Sequence, residues 1–258
     1  MKILVIHGSM RKGYTYMLTK EIVNRLSDKP DVEITEIGVA DLDLPFCISC
    51  HNCFSKGEEF CPHHNVMKNI QAALGGCDGV IVGGVTYLWA LNAAMKNVLD
   101  HLGYLFHRPS LFGKKGIVVT TSAGAGEKGV AKYLKTVLGQ WGINGAQIVS
   151  INARERELDP PAHQSAKLTA AAERFYGLIK SGKPISPVLN NIAVHNAFRA
   201  MSLGGFTASE RDTQYWRQKD FVNKSYPVYA GALKYLAGTA VYGIVKFMSR
   251  NINRIKNR

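Results

Sequence analysis

Short apolar runs alternate with amphipathic segments through the first 180 residues of the chain. The run at residues 2–7 is apolar throughout its middle, and the next segment places Leu18, Ile22 and Leu26 on one helical face. This order of an apolar strand followed by an amphipathic helix repeats four more times. The predicted strands span residues 2–7, 32–39, 79–85, 115–121 and 146–151. The predicted helices span residues 15–26, 66–74, 91–102, 129–141 and 162–180.

Five strands that alternate with helices predict an α/β fold with a doubly wound, five-stranded parallel sheet. The pattern ends near Ser181, because one glycine and two prolines interrupt residues 182–187 and no further strand and helix unit follows. We therefore predict a sheet domain at residues 1–180 and a mainly helical, basic extension at residues 181–258.

The extension carries most of the net charge of +13. Residues 180–258 contain thirteen Lys and Arg against three Asp and Glu, so about +10 of the charge lies there. These basic residues are not interleaved with aromatic residues on a recognised module, so we expect no nucleic-acid binding.

Residues 228–248 form a largely apolar stretch, and residues 250–258 add four basic residues. The stretch is long enough for a bilayer, but Lys234 and three glycines make it a poor membrane span. Two roles stay open: packing on a partner subunit of a homo-oligomer, which we favour, and peripheral contact with an anionic membrane surface.

Four of the five cysteines, Cys47, Cys50, Cys53 and Cys61, lie within fifteen residues. Short CxxC steps direct successive sulfurs toward one centre, and a proline follows the last cysteine, as in ferredoxin-type runs. Three roles of the four cysteines stay open: a [4Fe-4S] cluster, which we favour, a zinc site with His63 or His64 nearby, and bare redox thiols. Cys77 precedes a buried strand and is interpreted as an inert core thiol.

The first ten residues contain no positive region or cleavage site ahead of the apolar run, so we expect a cytoplasmic protein that keeps its thiols reduced.

Ligands of such sheets bind beyond the carboxyl ends of the strands, which directs attention to three loops. Residues 8–15 offer two hydroxyls, a guanidinium and the N–H groups of a helix start, which suit a phosphate. Residues 85–89 offer an aromatic pair, for which filling the core is the alternative. Residues 120–126 are small, so their backbone can approach a flat ring.

These loops resemble those of NAD(P)H-dependent FMN reductases. Residues 8–15 are similar to the GSxRxGxT signature in which Ser, Arg and Thr hold the FMN phosphate, with Met10 in place of the usual proline. Residues 85–100 resemble the segment that contacts the flavin ring, with Val85 in place of proline and Asn92 in place of serine. The cysteine motif resembles that of iron-sulfur flavoproteins.

The resemblance implies a flavodoxin-like fold, FMN as the cofactor and NAD(P)H as the co-substrate. The residues that it implies for FMN are Ser9, Arg11, Gly13, Thr15, Thr86, Tyr87, Leu88, Trp89, Thr121, Ser122, Ala123 and Gly124. The implied function is transfer of electrons from NAD(P)H through FMN to a quinone, a flavin, another small acceptor or a redox protein. The alternative is an electron-transfer iron-sulfur flavoprotein or redox sensor with little NAD(P)H turnover.

Because FMN itself performs the hydride and one-electron chemistry, we name no catalytic side chain. His7, His101 and His107 are interpreted as structural or surface residues.

Overall fold

The structure is a computed structural model that describes residues 1–153, 162–204, 209–218, 221, 226–228 and 230–256. Its strands are β1 (Lys2–His7), β2 (Glu33–Gly38), β3 (Gly79–Tyr87), β4 (Ala90–Leu91), β5 (Lys115–Ser122) and β6 (Gln147–Asn152). Its helices are α1 (Tyr14–Ser27), α2 (Asn52–Ser55), α3 (His64–Gly76), α4 (Ala93–His101), α5 (Tyr104–His107), α6 (Glu127–Gln140), α7 (Ala162–Lys180), α8 (Leu189–Leu203), α9 (Glu210–Trp216) and α10 (Ala232–Lys256).

The sheet confirms the predicted five parallel strands, in the order β2-β1-β3-β5-β6. The strand β4 has two residues and pairs antiparallel with the end of β3, and it was not predicted because so short an element leaves no periodic pattern. The strand order reverses between β1 and β3. Such a reversal opens a crevice at the carboxyl ends of the two strands, where ligands of open α/β sheets bind.

The sheet is buried on both faces because helices cover each of them. Successive side chains of a strand point to opposite faces, and on β1 Leu4 and Ile6 pack with α3, α4 and α6. Ile3 and Val5 point the other way and pack with α1 and α7. All four side chains are at most 1% exposed, which explains why β1 is a continuous apolar run rather than an alternating one.

Gly8 joins β1 to the first of the predicted binding loops, and its N–H donates to the carbonyl oxygen of Gly83 on β3 at 2.9 Å. A Cβ on Gly8 would lie 2.2 Å from that oxygen. We expect Gly8→Ala to lower the free energy of unfolding by about 1–3 kcal/mol, because backbone atoms must move apart. Urea unfolding measures this difference.

Gly177→Ala is the matched control for this substitution. Gly177 lies inside α7, and a Cβ there meets no atom of the described residues within 4 Å. Its replacement is expected to raise stability by up to ~1 kcal/mol through helix propensity. A Gly8→Ala protein as stable as the wild type would contradict the close approach of β1 and β3.

The described part of the extension is mainly helical, as predicted, and α8 packs against the end of α6. Side-chain amides bridge the two parts: Asn191 Nδ2 donates to Asn144 Oδ1 at 3.1 Å, and Gln140 Nε2 donates to Asn191 Oδ1 at 3.3 Å. Among the described residues, no helix combines the length and apolar character needed to cross a membrane. Arg258, the last of the basic residues at the carboxyl end, lies outside the described residues.

Candidate functional site

A cavity of about 440 Å³ lies at the carboxyl ends of β1, β3 and β5. The three loops that the sequence singled out meet there. Nine of the twelve residues predicted to bind FMN line it: Ser9, Arg11, Gly13, Thr15, Thr86, Tyr87, Thr121, Ser122 and Ala123. The other three, Leu88, Trp89 and Gly124, lie outside its wall.

One end of this cavity is the N-terminus of α1, which begins at Tyr14 after Gly13. The glycine offers no side chain to cap the helix, and the first turn contains no acidic residue. The N–H groups of a first helical turn have no acceptor within the helix, so they and the helix dipole favour an anion. Arg11 and Lys12 add two positive charges at the same end.

Two buried threonines stand next to this helix start. Thr15 Oγ1 and Thr121 Oγ1 lie 2.6 Å apart and share one hydrogen bond. Each hydroxyl has one hydrogen, so the pair keeps a second O–H that can donate to a bound group. The side chain of Thr15 therefore also holds Thr121, at the end of β5. The sequence did not predict this hydrogen bond.

The loop after β5 is held by a buried glutamate at the start of α6. Ser122 Oγ donates to Glu127 Oε2 at 2.6 Å, and this hydrogen bond lowers the pKa of Glu127. The hydroxyl of Ser122 therefore points to Glu127, and the main chain of Ser122 and Ala123 is left to form the cavity wall.

The wall of the cavity and the adjoining end of β6 contain buried polar atoms without partners among the described residues. Thr86 is 8% exposed, and its Oγ1 has no hydrogen-bond partner among the described residues. Asn152 Nδ2 donates to the carbonyl oxygen of Gly124, whereas its buried Oδ1 has no partner among them either. Unpaired buried polar atoms are costly, so a polar ligand that reaches Thr86 would offset this cost.

Tyr87, Leu88 and Trp89 form an exposed shelf beside the cavity, with exposed fractions of 57%, 97% and 76%. The alternative in which the aromatic pair fills the core is therefore wrong. Leu88 and Trp89 have φ values of 47° and 65°, a left-handed conformation that costs energy for side-chain-bearing residues and is frequent at binding sites. The short strand β4 returns the chain to β3 directly after this turn.

The sequence missed several wall residues: Met10, Lys12, Tyr14, Met17, Val85 and Ala153. Ala153 follows β6, whose carboxyl end also reaches this cavity. The position of that strand next to β5 was the signal that could have identified it.

A second cavity, of about 350 Å³, is lined by all four clustered cysteines. Cys47 and Cys50 are exposed, whereas Cys53 and Cys61 are half-buried. Within the CxxCxxC loop, Ser49 and His51 have φ values of 53° and 60°, so the chain winds tightly as it carries the thiols around the cavity. The fifth cysteine, Cys77, is buried in the core, as predicted.

Two histidines join Cys61 at this cavity. The ligand atoms of Cys61, His63 and His101 lie within 4.8 Å of one another, a spacing that one metal ion could bridge. His101 Nδ1 donates to the Asn97 carbonyl oxygen at 2.9 Å, so its Nε2 accepts from His63 Nδ1 at 2.9 Å. The interpretation of His101 as merely structural is incomplete, because it lines the cysteine cavity. His64, the other histidine considered as a ligand, does not line it.

Helix α4 connects the two cavities. At its start, Asn92 Nδ2 donates to the Gly8 carbonyl oxygen at 2.8 Å, next to the first cavity. In its middle, Asn97 Oδ1 accepts from Cys47 N at 3.1 Å and so holds the cysteine loop. At its end, His101 lines the second cavity. A helix of nine residues is about 13 Å long, so the Asn92 end beside the first cavity and the His101 end at the second cavity are about that far apart.

Arg108 links the cysteine loop to the C-terminal extension. Its guanidinium donates to the Cys53 carbonyl oxygen at 2.6 Å and to the Phe54 carbonyl oxygen at 3.2 Å. It also pairs with Asp212 of α9 and with Glu58. Asp212 is 1% exposed, so the ion pair is buried. The sequence did not predict this link, since the two partners are 104 residues apart.

The four thiols lie in different environments. Burial, together with the neighbouring cysteines, raises the pKa of Cys53 to about 11 from its usual 9.0, and burial also raises the pKa of Cys61. The thiolate fraction of Cys53 at neutral pH is therefore about a hundredfold below that of an ordinary cysteine. A metal that binds Cys53 must displace its proton, so metal binding weakens as the pH falls.

We expect iodoacetamide to alkylate Cys47 and Cys50 first in the metal-free protein and Cys53 much more slowly, with the rate at Cys53 rising as the pH increases toward 11. Peptide mass spectrometry after timed quenching measures the order, with buried Cys77 as the internal slow standard. If Cys53 is alkylated as fast as Cys47 at neutral pH, the raised pKa of Cys53 is contradicted.

Comparisons with known proteins agree with this geometry. The sequence profile of NADPH-dependent FMN reductases matches residues 1–153. Iron-sulfur flavoproteins of Archaeoglobus fulgidus and Clostridioides difficile are 23% and 25% identical over 229 and 232 residues, which cover 86% of this chain and 100% of each relative. The apo form of an NADH:FMN oxidoreductase has the same flavodoxin-like fold, with a TM-score of 0.53 at 21% identity over 67% of this chain and 87% of that one. The chain therefore belongs to the NADPH-dependent FMN reductase family.

Proposed function

We propose that this chain is an FMN-dependent NAD(P)H oxidoreductase that binds FMN in the cavity at the carboxyl ends of β1, β3 and β5. The observation that carries the proposal is the meeting of three loops at one cavity, with an uncapped helix N-terminus and Arg11 at one end. Family membership supports the same cofactor.

The phosphate of FMN would bind at the start of α1. The N–H groups of the first turn and the Ser9 hydroxyl would donate to it, and Arg11 would supply a charge-assisted hydrogen bond. Gly13 leaves the helix start open, and Thr15 can donate through the O–H that its pair with Thr121 leaves over. Lys12 adds charge at this end of the cavity.

The flavin ring would lie between the loop after β3 and the loop after β5. Thr86 offers its unpaired hydroxyl, and Thr121, Ser122 and Ala123 offer main-chain groups. The exposed shelf of Tyr87, Leu88 and Trp89, together with Gly124 of the loop after β5, would border the ring on the solvent side. An open, apolar border of this kind suits docking of a nicotinamide.

FMN supplies hydride and one-electron chemistry when it is bound. The chain's own residues bind the phosphate, orient the ring and keep one side of the cavity open to NAD(P)H and to an acceptor. That acceptor is a quinone, a flavin, another small molecule or a redox protein. No side chain is assigned as an acid or a base.

The four cysteines would hold a [4Fe-4S] cluster as a second redox centre. Their common cavity and its connection to the first cavity through α4 support this assignment, and two relatives carry the name iron-sulfur flavoprotein. With a cluster in the cysteine cavity, the flavin would exchange two-electron for one-electron steps, which favours a second candidate function, electron transfer with little NAD(P)H turnover.

Arg11→Ala tests the FMN proposal. Loss of a charge-assisted hydrogen bond costs about 1.5–3 kcal/mol, so the Kd for FMN is expected to rise about ten- to hundredfold. Fluorescence titration of the flavin-free protein measures it. Arg174→Ala, which changes an exposed arginine of α7, is the control and should leave the Kd unchanged. An Arg11→Ala protein that binds FMN with wild-type affinity would contradict the assignment of Arg11 to the phosphate.

A further inference from the structure

Helix α10 packs on the extension through one face. Arg199 of α8 stacks on the ring of Tyr242 at 4.4 Å from the ring centre, and Tyr235 OH donates to the Tyr226 carbonyl oxygen at 2.9 Å. Gly238 and Ser249 are buried on the same side. At 100° per residue these positions fall within about 60° of one another, so this side of the helix already has its partner.

The opposite face of α10 is an exposed apolar stripe. It consists of Leu233, Leu236, Ile244, Phe247 and Met248, with exposed fractions of 83%, 66%, 61%, 68% and 55%. At 100° per residue they fall within about 120°, centred opposite the packed face. Monomeric proteins rarely expose apolar side chains in such a row without a partner that covers them.

The charge around the stripe has one sign. No Asp or Glu occurs after residue 220, whereas seven Lys and Arg occur between residues 224 and 258. Five of them are on α10 itself. At 100° per residue, Lys234 lies beside the stripe, about 40° from Met248. An amphipathic helix with an apolar stripe and only basic charge is complementary to a surface of anionic lipid headgroups.

The exposed apolar surface continues beyond α10. Lys234 Nζ donates to the Pro187 carbonyl oxygen at 2.9 Å, which brings the start of α10 next to the start of α8. Val188 and Leu189 are 56% and 52% exposed there, and Lys183 is exposed nearby. The combination of apolar and basic residues is thus repeated on the adjoining segment.

A second copy of the chain fits this stripe less well. A two-fold interface brings the same patch of both subunits together, and here each patch carries only positive charge. Like charges across such an interface oppose association, whereas an anionic surface attracts them. We propose that the apolar stripe of α10 docks this protein on the surface of an anionic lipid bilayer, with the helix lying in the plane of the headgroups.

The test is cosedimentation of the full chain with vesicles, of phosphatidylcholine alone or with roughly 30% phosphatidylglycerol. The variant is the triple substitution Leu236→Gln, Ile244→Gln and Phe247→Gln. Ile148→Gln, on the exposed side of β6, is the matched control. Because the three side chains are exposed, the thermal unfolding of the triple variant should match the wild type.

The wild type and Ile148→Gln should bind the anionic vesicles, and the triple variant should bind at least about tenfold more weakly. Binding should weaken in high salt and on neutral vesicles, because part of the attraction is electrostatic. Equal binding by the wild type and the triple variant would overturn the proposal. Sedimentation equilibrium without lipid gives a second test. If the wild type is a dimer and the triple variant is a monomer, a second copy covers the stripe and the proposal is overturned.

Discussion

Replacing Cys50 by Ser is expected to lower the iron content of anaerobically purified protein from about four atoms per chain to near zero, because a [4Fe-4S] cluster needs its four thiolates. The FMN content should stay the same, since the cysteine cavity and the cavity at the ends of the strands are separate. Iron and FMN assays on one sample give both values.

Cys77→Ser is the matched control for this experiment. Cys77 is buried in the core, its thiol donates to the Leu74 carbonyl oxygen at 3.4 Å, and a serine hydroxyl can replace that bond. Its iron content should equal that of the wild type. Wild-type protein with about one zinc and no iron would contradict the cluster and assign the cavity to a mononuclear site on Cys61, His63 and His101.

Arg108→Ala is expected to lower the free energy of unfolding by about 3 kcal/mol, because it removes the guanidinium from the buried carboxylate of Asp212, which keeps only its hydrogen bond with His107. The substitution also removes the two hydrogen bonds to the cysteine loop at Cys53 and Phe54. We therefore expect the variant to lose iron faster than the wild type when a chelator is added. Urea unfolding and iron release measure the two effects.

Arg211→Ala is the matched control. Arg211 pairs with Glu59 at 3.7 Å, but both side chains are partly exposed, at 41% and 46%. Pairs of this kind contribute about 0–1 kcal/mol. Equal losses of stability in Arg108→Ala and Arg211→Ala would contradict the role of Arg108 as a buried link between the cysteine loop and the extension.

The central strands of the sheet could be predicted from the sequence because they are apolar on both faces. The segment Gly79–Tyr87, for example, is buried along almost its whole length and shows as a run of valine, isoleucine and glycine. The loop at residues 8–15 and the CxxCxxC motif are local patterns that the sequence shows directly. The strand order brings the first of them to the cavity at the carboxyl ends of the strands.

Long-range features left no pattern in the sequence. His101 reaches Cys61 only because α4 and the cysteine loop pack together, and Arg108 and Asp212 are far apart in the chain. The left-handed turn at Leu88 and Trp89 uses residues that usually avoid it, so no turn residue marks it. The sequence shows the apolar residues of α10, but it does not show which of them are exposed, because that depends on which face of α10 packs against α8.

The most direct test of FMN-dependent NAD(P)H oxidation is the visible absorption spectrum of the anaerobic protein before and after addition of NADPH or NADH. We predict flavin bands from about one FMN per chain, which bleach when the reduced nucleotide is added. A protein without flavin bands, even after incubation with FMN, would contradict the account.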